Sequence, residues 1–139
     1  MDLTTLRSPI ESLNPSEPIC TAPTTTVAEV IETMKEHRFG CVFVVDDGQL
    51  AGIVTERDIL KKVVGGDVAP KSLSAQDIMT TNPEYLFSDD EISFALNRMH
   101  VGGFRHIPLI QLDGRPIGVI SVRDILDHLV RSIGDEETN

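Results

Sequence analysis

The apolar positions of the chain follow the same order of spacings twice. In each half a proline, Pro23 or Pro83, precedes a stretch with apolar residues at i, i+3, i+4 and i+7, which predicts an amphipathic helix. Two short apolar runs come next, separated by a turn that contains Asp-Gly, and they predict a pair of strands. A second helical pattern closes each half. The predicted strands are residues 42–45, 50–54, 107–110 and 117–120.

The two halves are also similar residue by residue. Residues 52–60 match residues 118–126 at an offset of 66, with five identities and three conservative pairs in nine positions. Upstream the offset is 65, because the second half has one additional residue near Asp113 and Gly114. Such an internal repeat predicts two copies of one structural unit. A unit of about 60 residues is too small to bury its sheet alone, so we expect two pseudo-symmetric β-α-β-β-α copies, packed sheet to sheet in one α/β (α+β) module.

Turn-forming residues and spacing predict the boundaries of the copies. Gly65 and Gly66 end the last helix of the first copy, and Pro70 prevents that helix from resuming. Each copy opens with a segment predicted to be extended, residues 18–22 and 77–81. The predicted division is an N-terminal extension (1–14), a first copy (15–66), a linker (67–76), a second copy (77–133) and an acidic tail (134–139).

Two short patterns predict where the first helix of each copy begins. Thr26 is followed three residues later by Glu29, and Ser88 by Glu91. This is the spacing of a capping box, in which two side chains satisfy the first amide groups of a helix. Thr26 and Ser88 are therefore the predicted N-caps.

Composition and charge narrow the classes of function. Hydrophobic residues make up 40% of the chain and charged residues 24%, and there is no apolar run that approaches 18 residues. The first residues lack the basic start and apolar middle of a secretory signal, so the expected location is the cytoplasm, away from membranes. The net charge of −10 disfavours nucleic acid as a partner. Cys20 and Cys41 have no metal-ligand spacing, so we expect reduced thiols and no metal site.

One motif recurs where a predicted strand ends and the closing helix begins. It reads Gly, two apolar residues, Thr or Ser, any residue, Arg and Asp, and it contains Thr55 and Asp58 in the first copy and Ser121 and Asp124 in the second. A local explanation is available, because a hydroxyl N-cap followed by an acidic residue stabilises a helix start. That explanation leaves open why both copies also keep an arginine. Strand ends of this kind are where α/β folds place ligands.

These motifs resemble those of the tandem CBS (cystathionine-beta-synthase type) domain, whose hallmark is Gly-hydrophobic-x-Ser/Thr-x-x-Asp near the end of each repeat. Residues 77–80, followed by Pro83, and residues 105–109 are similar to two further patterns of that family. The resemblance covers residues 15 to 130. One hallmark segment would be weak support, whereas two in register with their flanking patterns are specific.

The resemblance implies how a nucleotide binds. Asp58 and Asp124 would accept hydrogen bonds from the two hydroxyls of a ribose, which suits a charged acceptor with two oxygens. It also implies that the opening segment of each copy lines the adenine pocket of the other copy's aspartate. The implied nucleotide-binding residues are Thr55, Asp58, Ile78, Met79, Thr80 and Thr81 for one site, and Ser121, Asp124, Ile19, Cys20, Thr21, Arg105, His106 and Arg123 for the other.

The resemblance further implies that the two sites are unequal. Arg105 and His106 precede the strand where related repeats hold phosphates, whereas the first copy has Gly40 and Cys41 there. Arginine is suited to bidentate phosphate binding, so the Asp124 site is expected to prefer a phosphorylated adenosine. The Asp58 site is expected to be empty, weaker or suited to a less charged ligand. For Arg123, pairing on the helix surface explains its presence equally well.

The sequence therefore predicts a regulatory binding module. Its expected ligand is AMP, ADP or ATP, with S-adenosylmethionine and NAD as alternatives, and it requires no cofactor. The expected partners are a second copy of the chain, in a homodimer, and a regulated protein. The alternative is a structural dimerisation module without ligand. An enzyme is disfavoured, because no arrangement of nucleophile, base and orienting residue recurs.

Overall fold

A computed structural model describes residues 3–138, and it describes side chains over residues 4–134. Met1, Asp2 and Asn139, which belong to the predicted extension and tail, lie outside the described residues, as do the side chains of residues 135–139. The chain divides into two compact units. The first-copy unit consists of Pro18–Pro83 and Leu112–Pro116, and the second-copy unit of Met1–Glu17, Glu84–Gln111 and Ile117–Asn139.

The helices and strands follow the predicted order. The strands are β1 (Cys20–Thr21), β2 (Cys41–Asp46), β3 (Gln49–Thr55), β4 (Thr80–Thr81), β5 (His106–Ile110) and β6 (Pro116–Ser121). The helices are α1 (Leu3–Arg7), α2 (Val27–His37), α3 (Glu56–Ile59), α4 (Ala75–Ile78), α5 (Ile92–Gly102) and α6 (Val122–Thr138), with a π-helical turn at Leu60–Val64 and 3-10 turns at Ile10–Leu13 and Pro70–Ser72. The four strands predicted from apolar runs are confirmed. So is the mixed α/β fold class with two repeats.

The first-copy unit contains a four-stranded sheet in the order β1-β2-β3-β4. Strand β1 pairs with β2 in parallel, and β2 and β3 form an antiparallel hairpin. Asp47 and Gly48 form the hairpin turn at φ values of 53° and 78°, the left-handed conformations that two-residue hairpin turns require. Helix α2 packs its buried face, which includes Val27 and Val30, against the buried strand residues.

The beginning of the second sequence copy differs from the expected extended segment. Only Thr80–Thr81 form a strand, β4, which adds to β3 in the first-copy unit. Residues Ala75–Ile78 are helical instead, because Ser74 and Asp77 form a capping box. The Ser74 amide and hydroxyl donate to Asp77 Oδ2 at 2.8 and 2.9 Å. These bonds hold the Asp77 pKa below its ordinary value, and the bond from the backbone amide has the larger effect.

The second-copy unit contains the two-stranded sheet of β5 and β6 together with α5 and α6. The N-terminal segment of the chain also belongs to this unit. Ile10 is fully buried in the same core as Ile92 and Leu109. Its amide donates to the Asp90 carbonyl at 2.8 Å. Residues that the sequence suggested as an extension therefore complete a hydrophobic core.

The two predicted N-caps have different outcomes. Thr26 caps α2, with its hydroxyl accepting from the Glu29 amide at 3.2 Å, as predicted. Ser88 does not cap α5, whose N-cap is Glu91, the residue that the offset of 65 relates to Thr26. The reason is that Ser88 lies in a preceding turn, which Asp90 closes by accepting from the Phe87 amide at 2.8 Å.

The last helix, α6, continues through the predicted acidic tail to Thr138. Along the described residues, no helix combines the length and the apolar character that crossing a membrane requires.

Candidate functional site

The recurring motif lies where the hairpin of each unit leads into its closing helix. In the first-copy unit Thr55 ends β3 and caps α3. Asp58 Oδ2 accepts from the Thr55 amide at 2.9 Å and from its hydroxyl at 3.0 Å, while the Asp58 amide donates to Thr55 Oγ1 at 3.3 Å. These contacts are the capping box that the residue types predict. One carboxylate oxygen of Asp58 is thus used to begin the helix.

The other oxygen of Asp58 is also occupied. Thr80, on β4, donates its hydroxyl to Asp58 Oδ1 at 3.1 Å. The Lys62 ammonium lies 3.1 Å from the same oxygen and donates to the Ile78 carbonyl at 2.8 Å. Asp58 is 6% exposed, although it is charged. Since a carboxylate offers about four lone-pair positions, these four donors saturate it.

Gly52, the first residue of the motif, permits the approach of β4. A Cβ at this position would lie 2.8 Å from the Thr80 carbonyl oxygen and 2.6 Å from Met79 Sδ. Real contacts of this kind do not occur, so a side chain here would displace β4 and with it Thr80. Glycine in the motif therefore has a packing role that its place in the sequence alone does not reveal.

The second-copy unit repeats the local contacts around Asp124. Asp124 Oδ2 accepts from the Ser121 amide at 2.8 Å, and the Asp124 amide donates to Ser121 Oγ at 3.1 Å. Asp124 is half-buried. Within the described part of this unit, no side chain donates to Asp124 Oδ1. Three of its roughly four lone-pair positions remain unused by its own unit.

Gly118 lies beneath a crossing segment, as Gly52 does. The Val119 amide donates to the Ser16 carbonyl at 3.0 Å. A Cβ at position 118 would lie 3.3 Å from Pro15 Cβ and 3.4 Å from the Ser16 carbonyl oxygen. The approach is looser than at Gly52, where the corresponding distances are 2.6 and 2.8 Å.

The residues before β2 and β5 occupy equivalent places. The Glu56 amide donates to the Gly40 carbonyl at 3.2 Å, and the Val122 amide donates to the Arg105 carbonyl at 3.0 Å. Both bonds tie the start of the closing helix to the residue before the strand. Arg105, which is exposed, is thereby placed beside the Ser121–Asp124 motif, whereas the first-copy unit has an uncharged glycine at that place.

The two cysteines have different surroundings. Cys41 begins β2 and is paired in register with Thr55. Burial, together with the negative charge of Asp58, raises the pKa of the Cys41 thiol to about 12. Cys20, on β1, keeps much of its surface exposed, and the partial burial of its thiol raises its pKa to a smaller extent. Both thiols are therefore protonated at neutral pH and are poor nucleophiles.

The remaining predicted residues are distributed over both units. Met79, Thr80 and Thr81 lie in the first-copy unit with Asp58, and Thr80 contacts it. Ile78 is buried and presents its carbonyl to Lys62. Ile19, Cys20 and Thr21 also lie in the first-copy unit, so their pairing with Asp124 stays a prediction. In the second-copy unit, Arg123 is exposed and His106 half-buried.

Sequence reasoning missed Lys62. It lies four residues after Asp58, and opposite charges at that spacing face each other on a helix. The spacing of Asp58 and Lys62 in the sequence could therefore have predicted this ion pair. The contact with the Ile78 carbonyl had no such signal, because it joins segments 16 residues apart.

Known proteins share both the sequence pattern and the fold. A family model described as CBS domain matches the chain twice, over residues 10–65 and 75–131. An uncharacterized 17.7 kDa protein of Acidianus ambivalens is 36% identical over 104 residues, which are 74% of this chain and 62% of that protein. The chain spans less than two thirds of the length of the curated relatives it matches.

Solved structures extend the comparison. A CBS-domain containing protein from Agrobacterium tumefaciens superimposes with a TM-score of 0.78 at 30% identity, covering 86% of this chain and 97% of that one. A CBS domain protein from Pyrobaculum aerophilum, solved in complex with AMP, has a TM-score of 0.78 at 24% identity and covers 88% and 98%. The latter likeness shows the fold alone.

Proposed function

The chain belongs to the CBS domain family, and from that premise we propose that it is a regulatory module that binds an adenosine nucleotide, AMP, ADP or ATP. In this proposal Asp124 binds the ribose hydroxyls. Ser121 supports Asp124 from the helix cap, and Arg105 binds phosphate. Binding then changes the affinity of the module for a regulated protein, which requires that the nucleotide bind two states of the module unequally.

The single observation that carries the proposal is the acceptor capacity of Asp124. Its Oδ2 is held by the Ser121 amide, which fixes the orientation of the carboxylate. Among the described residues of its unit, none uses the acceptor positions of Oδ1, so these positions suit the two neighbouring donors of a ribose. An oriented carboxylate with unused acceptor positions is a binding group that requires little reorganisation.

Arg105 supplies the charge that a phosphate requires. Its backbone is tied to the start of α6, one residue after Ser121. Arginine binds phosphate through two parallel hydrogen bonds. In a chain with a net charge of −10, such a local cation matters for an anionic ligand. The AMP bound to the P. aerophilum protein supports this ligand class for the fold.

Calorimetric titration tests the proposal. We expect AMP, ADP or ATP to bind the wild-type protein. Asp124→Ala weakens binding at the Asp124 site by about tenfold or more, because two charge-assisted hydrogen bonds are lost. Asp127→Ala is the matched control, since it removes the same charge from an exposed position on the same helix. S-adenosylmethionine and NAD are titrated as alternative ligands.

Two results would contradict this assignment. Binding that is equally tight in Asp124→Ala and Asp127→Ala would show that the ribose lies elsewhere. Conversion of ATP to a product, above the background of a heat-denatured sample, would show that the protein is an enzyme.

A structural dimerisation module is the second candidate, and a specific observation favours it. Helix α6 exposes an apolar stripe at i, i+4 and i+7, formed by Leu126, Val130 and Ile133, which are 52%, 66% and 39% exposed. In the first-copy unit an open groove of about 630 Å³ is lined by apolar residues that include Ile31, Phe39 and Leu60. Exposed apolar surface of this kind suits a homodimer. Failure of every nucleotide to bind would favour this function.

A further inference from the structure

Asp58 has no acceptor position to offer to a sugar. The amide and hydroxyl of Thr55 hold Oδ2, and the Thr80 hydroxyl and the Lys62 ammonium hold Oδ1. A ribose that binds Asp58 must therefore displace at least one of these donors.

Lys62 is the donor that can leave most easily. Thr55 is bound to Asp58 through the backbone geometry of the helix cap, and Thr80 is held by the pairing of β4 with β3. The Lys62 side chain, in contrast, is flexible and 42% exposed, so its ammonium can return to water. It lies in the π-helical turn Leu60–Val64, and such turns occur frequently at functional sites.

We propose that Lys62 is an internal competitor of the ribose at Asp58 and that it lowers the affinity of this site. The inference rests on the proposed function, and it adds a residue that sets the affinity and selectivity of one of the two sites. Lys62 occupies one acceptor position of Asp58 Oδ1 until a ribose hydroxyl replaces it. Since the observed affinity falls by the fraction of molecules whose site is open, the ion pair makes the Asp58 site the weaker one.

The counterpart of Lys62 explains why the second copy lacks this competitor. The offset of 66 relates Lys62 to His128, which follows Asp124 by four residues. Within the described part of the second-copy unit, no ion pair joins His128 to Asp124. The His128 side chain is shorter than that of a lysine. The backbone carbonyl of His128 accepts a hydrogen bond from the Ser132 hydroxyl within α6.

A titration with adenosine tests the competition. Adenosine carries the ribose without phosphate, so a direct attraction of Lys62 for phosphate does not enter the result. The Asp124→Ala background leaves only the Asp58 site. In that background we expect Lys62→Met to bind adenosine about three- to tenfold more tightly, since a partly exposed ion pair no longer has to be broken.

Lys61→Met in the same background is the matched control, because it removes the same charge from the adjacent, exposed residue. Equal or weaker adenosine binding by Lys62→Met, relative to Lys61→Met, overturns the competition even where AMP binds the wild-type protein. If neither AMP nor adenosine binds the wild type or any variant, the proposed function fails and the competition fails with it. Loss of the gain in Asp58→Ala/Lys62→Met/Asp124→Ala confirms that the gain arises at Asp58.

Discussion

Asp58 and Asp124 occupy the same position in the two sequence copies, yet their surroundings differ. Asp58 is almost fully buried and accepts four hydrogen bonds or ion-pair contacts. Asp124 is half-buried, and the described residues of its unit supply a cap contact to one of its oxygens, Oδ2. The same motif therefore yields a carboxylate that stabilises the fold in one unit and a carboxylate with unused acceptor positions in the other.

The difference shows which contacts a repeated sequence reproduces. The capping contacts span three residues, and both copies have them because both have a hydroxyl residue and an aspartate at that spacing. The additional partners of Asp58 are Lys62 and Thr80. The counterpart of Lys62 in the second copy is the shorter His128, and Thr80 lies on a different segment, β4. Residues outside the repeated motif therefore give its two aspartates different contacts.

Removal of each carboxylate is the largest expected perturbation. Asp58→Ala removes the helix cap together with the part-buried contacts to the Thr80 hydroxyl and the Lys62 ammonium. We therefore expect a loss of about 3 kcal/mol in the free energy of unfolding. Asp124→Ala should cost about 1 kcal/mol, the usual value for a helix cap. Urea denaturation of both variants measures the difference. Equal losses would mean that the contacts of Asp58 with Lys62 and Thr80 contribute nothing.

Substitution of the two motif glycines, Gly52 and Gly118, is expected to give the next largest loss of stability. Gly52→Ala places a Cβ against the backbone of β4, and we expect a loss of about 2 kcal/mol with separation of Thr80 from Asp58. Gly118→Ala meets its neighbours at ordinary to slightly tight distances and should cost less than about 1 kcal/mol. The same denaturation experiment compares them. A Gly118→Ala variant that is the less stable of the two would contradict the packing argument.

The smallest expected effect is a loss of stability at alkaline pH through the Cys41 thiol. It is specific to the first copy, since the residue equivalent to Cys41 in the second copy is His106. The pKa of Cys41 is about 12 in the folded protein, against an ordinary value of 9.0. The unfolded chain therefore releases the thiol proton first, so stability falls as the pH rises from about 9 to about 12.

Between pH 8 and pH 10 this linkage should remove about 1.5 kcal/mol. Because lysines and Tyr85 also titrate in this range, the measured quantity is the difference between the wild type and Cys41→Ala. Parallel stability curves for the two proteins would exclude a perturbed Cys41.

Much of the fold was predictable from local pattern. The strands, the start of both closing helices and the Thr26 cap follow from spacing within a few residues. The predictions that failed also have local causes, since Ser74 and Asp77 make a helix of a segment expected to be extended, and Asp90 closes a turn that delays the start of α5. The candidate site was predictable only for its capping contacts and for the identity of its aspartates.

By itself, the sequence determined that the chain contains two copies of one unit and that each copy has a carboxylate at a strand-to-helix junction. Only the tertiary structure decided which segments complete each unit, with β4 added to the first-copy sheet and Ile10 to the second-copy core. It also decided that Lys62 and Thr80 meet at Asp58. The physical reason is that caps and hairpins satisfy backbone groups over a few residues, whereas burial and side-chain contacts depend on segments that are distant along the chain.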